Sequence, residues 1–320
     1  MTDKFDKEPA DAKPSAAVSK DGGALPPEAI KAIPVRHYGR WVSGVVVLAL
    51  VALLVNAFAT AEKIQWNAVG DKLFDSSIVA GAGRTLLISV LAMAMGVVLG
   101  IVLAVMRLSK NPVTSWVAWL YIWFFRGTPV YVQLLLWFNL ALIFPVLNLG
   151  PIYKDEMVDV MTPFMAALLG LGLNEAAYMA EICRAGLMAV DEGQTEASQA
   201  LGMSHSKTLR RIVVPQAMRV IVPPTGNEFI NMLKTSSLVY VVSYPELTRS
   251  ATSIGSTSYA VMEMLFVASI WYLVMTSVFS VFQYYLERRY ARGSSRNLPA
   301  TPWQKVKANL LSFSRERGAA

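Results

Sequence analysis

The chain has 320 residues, 54% of them hydrophobic and only 16% charged, whereas a soluble domain of this size carries about 25% charged residues. The deficit is gathered into long apolar runs, which excludes an ordinary soluble enzyme and indicates an all-α integral membrane protein. The net charge of +7 does not call for nucleic acid, because membrane proteins collect Lys and Arg in their cytoplasmic loops; one cysteine, Cys183, excludes an intramolecular disulfide, and the two histidines, His37 and His205, show no metal-ligand spacing.

Residues 1–40 are rich in Lys, Asp, Pro, Ala and Gly and cannot bury a core, so they read as a disordered cytoplasmic tail. They are too long and too acidic for the start of a signal peptide, and the first apolar run is expected to stay as a spanning helix. Six runs reach the roughly 20 residues a crossing needs: about 42–61, 85–106, 128–148, 161–183, 222–243 and 261–285. Lys31, Arg36 and Arg40 precede the first run, and Arg107 and Lys110 follow the second. Arg184, Lys207, Arg210, Arg211 and Arg219 lie between the fourth and fifth, and Arg288, Arg289, Arg292 and Arg296 follow the sixth. The opposite side holds fewer basic residues, so both termini are expected in the cytoplasm.

The aromatic stretch 113–125 could begin a long third span. Arg126-Gly127-Thr128-Pro129 argues instead for a fresh helix, with Thr128 as cap and Pro129 at the first helical position, leaving the aromatic piece along the interface. Gly96 and Gly100 form a G-x-x-x-G within the second span, common in membrane helices and weakly discriminating. No phosphate-cradling G-x-x-x-x-G-K-[ST] is present.

Between the fourth and fifth spans lies EASQALGMSHSKTLRRIVVP, residues 196–215. A short helix over 194–201 should end at Gly202, which tolerates a left-handed position. Ser204 should cap a second helix to about Arg211, and Pro215 should stop it. The result is a compact helical hairpin that can present a rigid surface to a partner, though a solvated amphipathic loop fits the composition as well.

Glu196-Ala197-Ser198, then Gly202, then Ile212 and Pro215 at their spacing resemble the EAA loop of ABC importer permeases. Ser198 stands where that loop usually has a second Ala, and Val214 where it has Leu. Phe125 to Pro129 with Gln133, Ala177 to Arg184 leading to Gly193-Gln194, and Gly226 to Phe229 followed by Lys234 to Leu238 resemble the polar amino-acid branch of the family, in its order. The resemblance implies a permease domain over 81–288 whose loop 190–216 couples through Glu196, Ala197, Gly202, Ser204, Leu209, Ile212 and Pro215 to a separate ATP-binding subunit. It further implies two copies of that subunit, which carries the ATP and magnesium, so that no cofactor sits on this chain. A second permease chain, an external solute-binding protein, a small polar amino acid as cargo and a bacterial inner membrane complete the expectation. The helix at 41–61 is an addition to the usual five-helix core, and 289–320 forms a cytoplasmic C-terminal tail.

Charged groups at membrane depth face a bundle interior or water. Glu175 falls about 20 Å into the fourth span, while Glu181 and Arg184 stand three apart nearer the cytoplasm and can pair on one helix face. On the fifth span Asn227, Glu228, Asn231, Lys234 and Thr235 occupy about a third of the circumference, a stripe that either lines a pathway or knits helices together. Glu175 and Lys234 are expected to pair or to share a water-filled cavity. Gln133 and Asn139 are weaker candidates, and snorkelling suffices to explain Arg126. An ion-gradient transporter using Glu175 is the alternative, but the halves show no self-similarity of the kind inverted repeats leave. A membrane-embedded enzyme has neither H-E-x-x-H nor G-x-S-x-G to support it.

Overall fold

A computed structural model describes residues 38–290; the tails expected at 1–40 and 289–320 lie outside the described residues except at their inner ends, where residues 38–40 open the first helix and Arg289 and Tyr290 close the last. The chain divides into two units, the first ending at Glu62 and the second beginning at Lys63. Among its described residues the first contains one helix, α1 (Tyr38–Ala59), whose described side chains are all exposed, as an apolar helix meeting lipid requires.

The second unit is a helical bundle built around two long helices. Helix α2 (Trp66–Lys72) leads into α3 (Ser76–Arg107), whose N-terminus is capped by Asp75 accepting from the Ser77 N–H at 3.0 Å. Helix α4 (Pro112–Gly127) starts on Asn111 as cap with Pro at its first position, and α7 (Pro163–Met188) repeats the device with Thr162 and Pro163. Helices α3 and α7 form the centre of the bundle because Gly96 and Gly100 bring their backbones together. A Cβ at Gly96 would stand 2.6 Å from Glu175 Cγ, and one at Gly100 would stand 2.5 Å from Met179 Cβ. The G-x-x-x-G that discriminated little from sequence therefore sets the central packing.

The expected third span is overturned as a continuous helix. Only α5 (Val130–Phe138) is α-helical; a 3-10 turn at Leu140–Leu142 follows, and then a two-stranded antiparallel hairpin, β1 (Val146–Asn148) with β2 (Lys154–Glu156), in register Val146↔Glu156. Asn139 turns its amide back to Leu135 O at 2.8 Å, and Pro145 forbids helical continuation. The aromatic stretch is helix α4, which packs through Ala118, Ile122 and Phe125 and leaves Trp116, Trp119 and Trp123 exposed. Thr128 is not the cap of the next helix. It is the C-cap of α4, with Oγ1 donating to Phe124 O at 2.9 Å, and Pro129 precedes the first residue of α5. The residue before a proline is pushed into extended backbone, which separates the two helices.

After α6 (Met157–Val160) and α7 come α8 (Glu192–Ala200) and α9 (His205–Thr208), then α10 (Val214–Thr235), a 3-10 stretch at Ser236–Val242, α11 (Leu247–Ser258) and α12 (Val261–Tyr290). Pro215 does not stop the helix. A π turn at Leu209–Val213 joins α9 directly to α10, with Pro215 in the first turn of α10. Widening the helix there accommodates a residue that has no N–H and whose ring would strike the carbonyl four positions earlier. Among the described residues three helices, α1, α3 and α12, are long and apolar enough to cross a membrane by composition alone. Helix α7 has the length, about 39 Å for its 26 residues, but carries Asn174, Glu175, Glu181 and Arg184.

Candidate functional site: a polar cavity joined to a capped helical hairpin

The hairpin is built as its sequence dictates. Asp191 caps α8 by accepting from the Gly193 N–H at 2.8 Å. At the other end Gly202 takes φ +75°, its N–H reaches Gln199 O at 2.9 Å, and the Met203 N–H reaches Ser198 O at 3.0 Å. Those two bonds close a Schellman motif, which needs a left-handed residue at the glycine. Ser204 stands at the N-cap of α9, as expected, but its side chain makes no capping bond; the preceding Schellman turn already fixes where α9 begins. Ser198, one of the two residues that depart from the family pattern, is buried and returns a 2.6 Å bond to Gln194 O. Gln216 on α10 reaches Gln194 Oε1 at 3.3 Å and Ile212 O at 3.1 Å, tying the hairpin to the long helix. Glu196, Ala197, Gly202, Ser204, Leu209 and Pro215 are exposed and Ile212 is half-buried. The tip adds Leu201, 83% exposed, a large apolar side chain that position alone did not single out.

From the hairpin α10 runs to a cavity of about 610 Å³ between α5, α7 and α10, walled by Asn174, Glu175, Glu228, Asn231, Lys234 and Thr235 among others. Four of the five stripe residues thus line one space. Asn227 does not: one residue before Glu228 and turned about 100° around α10, it faces α12, and its Oδ1 accepts from Gln283 Nε2 at 2.8 Å. Glu175 and Lys234 share the cavity without forming an ion pair; among the described residues ion pairs join only Lys72 to Asp75 and Arg184 to Glu181. Glu175 is 5% exposed and its Oε1 has no hydrogen-bond partner. A buried carboxyl oxygen without a donor is costly unless something else supplies one.

The upper wall explains Gln133. The break at Thr128–Pro129 frees the Phe125 carbonyl, because Pro129 has no N–H to give it. Gln133 Nε2 and Asn174 Nδ2 take that oxygen at 3.0 and 2.7 Å, and Gln133 also reaches Thr128 O at 3.0 Å. Gln133, rated weak from sequence, therefore holds the break, and Asn174, not foreseen, shares the task. Asn139 is exposed and outside the cavity.

Toward the hairpin a second cavity, about 560 Å³, is lined by Arg107, Trp119, Trp123, Arg126, Glu181 and Arg184 with Tyr178. Glu181 and Arg184 pair at 2.7 Å, as their spacing predicts. Arg126 does more than snorkel: its guanidinium lies 5.2 Å over the Tyr178 ring. A larger cavity, about 1040 Å³, has apolar walls such as Val97, Met179, Ala217, Phe229 and Phe279 and offers little to hold a polar molecule. Cys183 lies in that wall, where burial pushes a thiol toward inertness.

At the opposite end of the bundle Glu246, outside the expected spans, is fully buried at the start of α11. It accepts from the Thr248 and Arg249 N–H groups, each at 2.7 Å, and from the Tyr272 hydroxyl at 2.8 Å. Burial pushes its carboxyl above the ordinary glutamate range, and the two amide bonds pull the other way. No sequence signal marked it.

Residues 96–292 match the family described as binding-protein-dependent transport system inner membrane component. The chain is 50% identical over 275 residues to the arginine transport system permease protein ArgU of Corynebacterium glutamicum, spanning 86% of this chain and 87% of that one. It is 33% identical over 228 residues to the glutamine transport system permease protein GlnP of Escherichia coli, spanning 71% of this chain and 98% of the relative. A crystal structure of an amino acid ABC transporter with histidines superposes with a TM-score of 0.59 at 39% identity, covering 68% of this chain and 95% of the other. An inward-facing methionine ABC transporter shares the fold at a TM-score of 0.56 and 19% identity.

Proposed function

The chain belongs to the binding-protein-dependent transport system inner membrane components, and from that membership we propose how its parts divide the work of an ATP-driven amino-acid importer. It is the membrane subunit of such an importer and not an enzyme; ATP is hydrolysed on a separate chain, and a solute-binding protein delivers cargo. The permease domain occupies 81–288. Six crossings, α1, α3, the broken pair α4–α5, α7, α10 with its 3-10 extension, and α12, place both termini and the hairpin in the cytoplasm of a bacterial inner membrane. Two permease chains, whether identical or not, pair with two ATP-binding subunits, which hold the ATP and magnesium. The extra helix α1 meets lipid.

The hairpin 192–213 is the docking surface, with Glu196, Ala197, Leu201, Gly202 and Leu209 toward the ATPase. The observation that carries this is mechanical continuity. The capped hairpin is joined through the π turn, with no break in the helical chain, to α10, which bears Glu228, Asn231, Lys234 and Thr235 on the cavity. Closure of the ATPase pair moves the hairpin, and α10 carries that motion to the cavity wall. The cavity is the passage. Two carboxyl groups, Glu175 and Glu228, face one ammonium, Lys234, so a basic amino acid finds a partner for its carboxylate and carboxyl groups for its cationic ends.

Purification from native membrane with its partners tests the docking surface. Glu196→Arg with Leu201→Asp is expected to lose the ATP-binding subunit while leaving the helical circular-dichroism spectrum unchanged. Retention of the ATPase by that double variant would move the docking surface elsewhere. Uptake by the reconstituted importer with its binding protein is expected to prefer arginine or lysine over glutamine. Preference for glutamine or glutamate would overturn the charge reading and leave the docking result intact.

A further inference from the structure

Helix α7 places Glu175, Tyr178, Glu181 and Arg184 at three-residue steps, each about 4.5 Å further along the axis. Glu175 belongs to the wall of the polar cavity, and Glu181 and Arg184 to that of the arginine-lined cavity nearer the hairpin; Tyr178 lines both. It is half-buried between them, with Arg126 lying 5.2 Å over its ring from the end of α4. Arg126 is the last residue but one before the break at Thr128–Pro129, so the group that holds the ring in place is anchored where the α4–α5 crossing is least continuous.

We propose that Tyr178 is the gate residue separating the mid-membrane cavity from the hairpin-side vestibule, held across the passage by Arg126. The inference rests on the reading of the polar cavity as the passage. An aromatic ring suits the task, because it blocks a wide opening with two rotatable bonds and swings aside as a unit. The cation over its face supplies a directional hold that a purely apolar plug lacks. Below the ring the vestibule carries Arg107, Arg126 and Arg184 against the single carboxylate of Glu181, which Arg184 already engages. A basic amino acid that has passed the ring therefore meets a wall of its own sign and is not retained there, and it is the ring swung back across the passage that keeps it from returning to Glu175 and Glu228. Motion of α10 relative to α7 changes the space around Tyr178 directly, since both helices wall the polar cavity.

The test uses the complete importer in inverted vesicles, with Cys183→Ser and Ser237→Cys giving one thiol on the polar cavity wall. Its labelling by a membrane-impermeant cationic methanethiosulfonate from the hairpin side is timed in two states, nucleotide-free and trapped with ATP and vanadate. With Tyr178 present, labelling is expected to be at least tenfold slower in the trapped state. Tyr178→Ala should remove that difference by making labelling fast in both states, and Tyr178→Phe should preserve it. Arg126→Gln should narrow it without abolishing it. A tenfold difference that survives in Tyr178→Ala overturns the proposal, as does equal labelling of the two states when Tyr178 is present. Co-purification of the ATPase with every variant guards against a folding failure. Uptake of arginine is measured separately, so a protein that labels as expected but transports nothing refutes the cargo reading and not the gate.

Discussion

Glu246 and Glu175 are buried to nearly the same degree, 0% and 5% exposed, yet their surroundings are opposite. Glu246 accepts from two backbone amides and the Tyr272 hydroxyl within 2.8 Å, and Thr85 Oγ1 approaches the same carboxyl at 3.5 Å while accepting from the Leu247 N–H. Glu175 stands in the wall of the polar cavity with one oxygen lacking any partner. A carboxyl that the fold satisfies completely is part of the frame, because helices α3, α11 and α12 meet on it. One that the fold leaves short of donors contributes no such bond to the frame, and under the proposed function it belongs to the passage.

The sharpest break of that comparison comes from Glu246→Ala. It removes the cap of α11 and strands the amides it satisfied, leaving the Tyr272 hydroxyl only Thr248 Oγ1 at 3.1 Å. Loss of a cap costs about 1 kcal/mol, and leaving buried donors unsatisfied about 1–3 more, so the variant should lose about 3 kcal/mol. For a protein of this size that lowers Tm by about 6–12 °C, read by thermal unfolding of the purified protein in detergent. A Tm within 2 °C of the parent would mean that the junction of α3, α11 and α12 does not depend on this carboxyl.

Glu175→Gln should behave in the reverse way. The amide keeps the volume that Gly96 makes room for, so Tm should hold or rise slightly, while ATP-driven uptake falls at least tenfold, about 1.4 kcal/mol of lost stabilisation. The two readouts decide between frame and passage. If Tm falls as far as in Glu246→Ala and uptake per folded molecule stays unchanged, Glu175 belongs to the frame.

The same pair shows what sequence could reveal. The stripe from Glu228 to Thr235 was legible because helical periodicity is local, and Gly202 because only a left-handed turn explains a glycine between two short helices. Glu246 was hidden: it lies between apolar runs, and its partners Thr85 and Tyr272 come from helices distant in sequence. Asn174 carried no local signal, because its role depends on the break at Pro129 that frees the Phe125 carbonyl it binds. The expected stop at Pro215 failed because a π turn leaves no local signature in composition. The expected helix over 128–148 failed because apolarity measures lipid compatibility rather than helicity, and Asn139 and Pro145 end the helix inside an apolar run.

Tyr272→Phe gives the smallest effect and the finest test of the frame. The hydroxyl donates to Glu246 at 2.8 Å and lies 3.1 Å from Thr248 Oγ1, so removing it leaves the carboxyl with both amide donors and Thr248 with its backbone bond to Glu246. One hydrogen bond to a charged acceptor is lost and no large cavity is made, so the cost is about 1.5 kcal/mol and a fall in Tm of about 3–6 °C. Uptake per folded molecule should be unchanged, because Tyr272 lies outside the walls of the polar cavity. A fall as large as that of Glu246→Ala would locate the junction's strength in the hydroxyl bridge between α12 and α11 rather than in the helix cap. The two variants combined would then cost no more than either alone, since residues sharing one hydrogen bond are not additive.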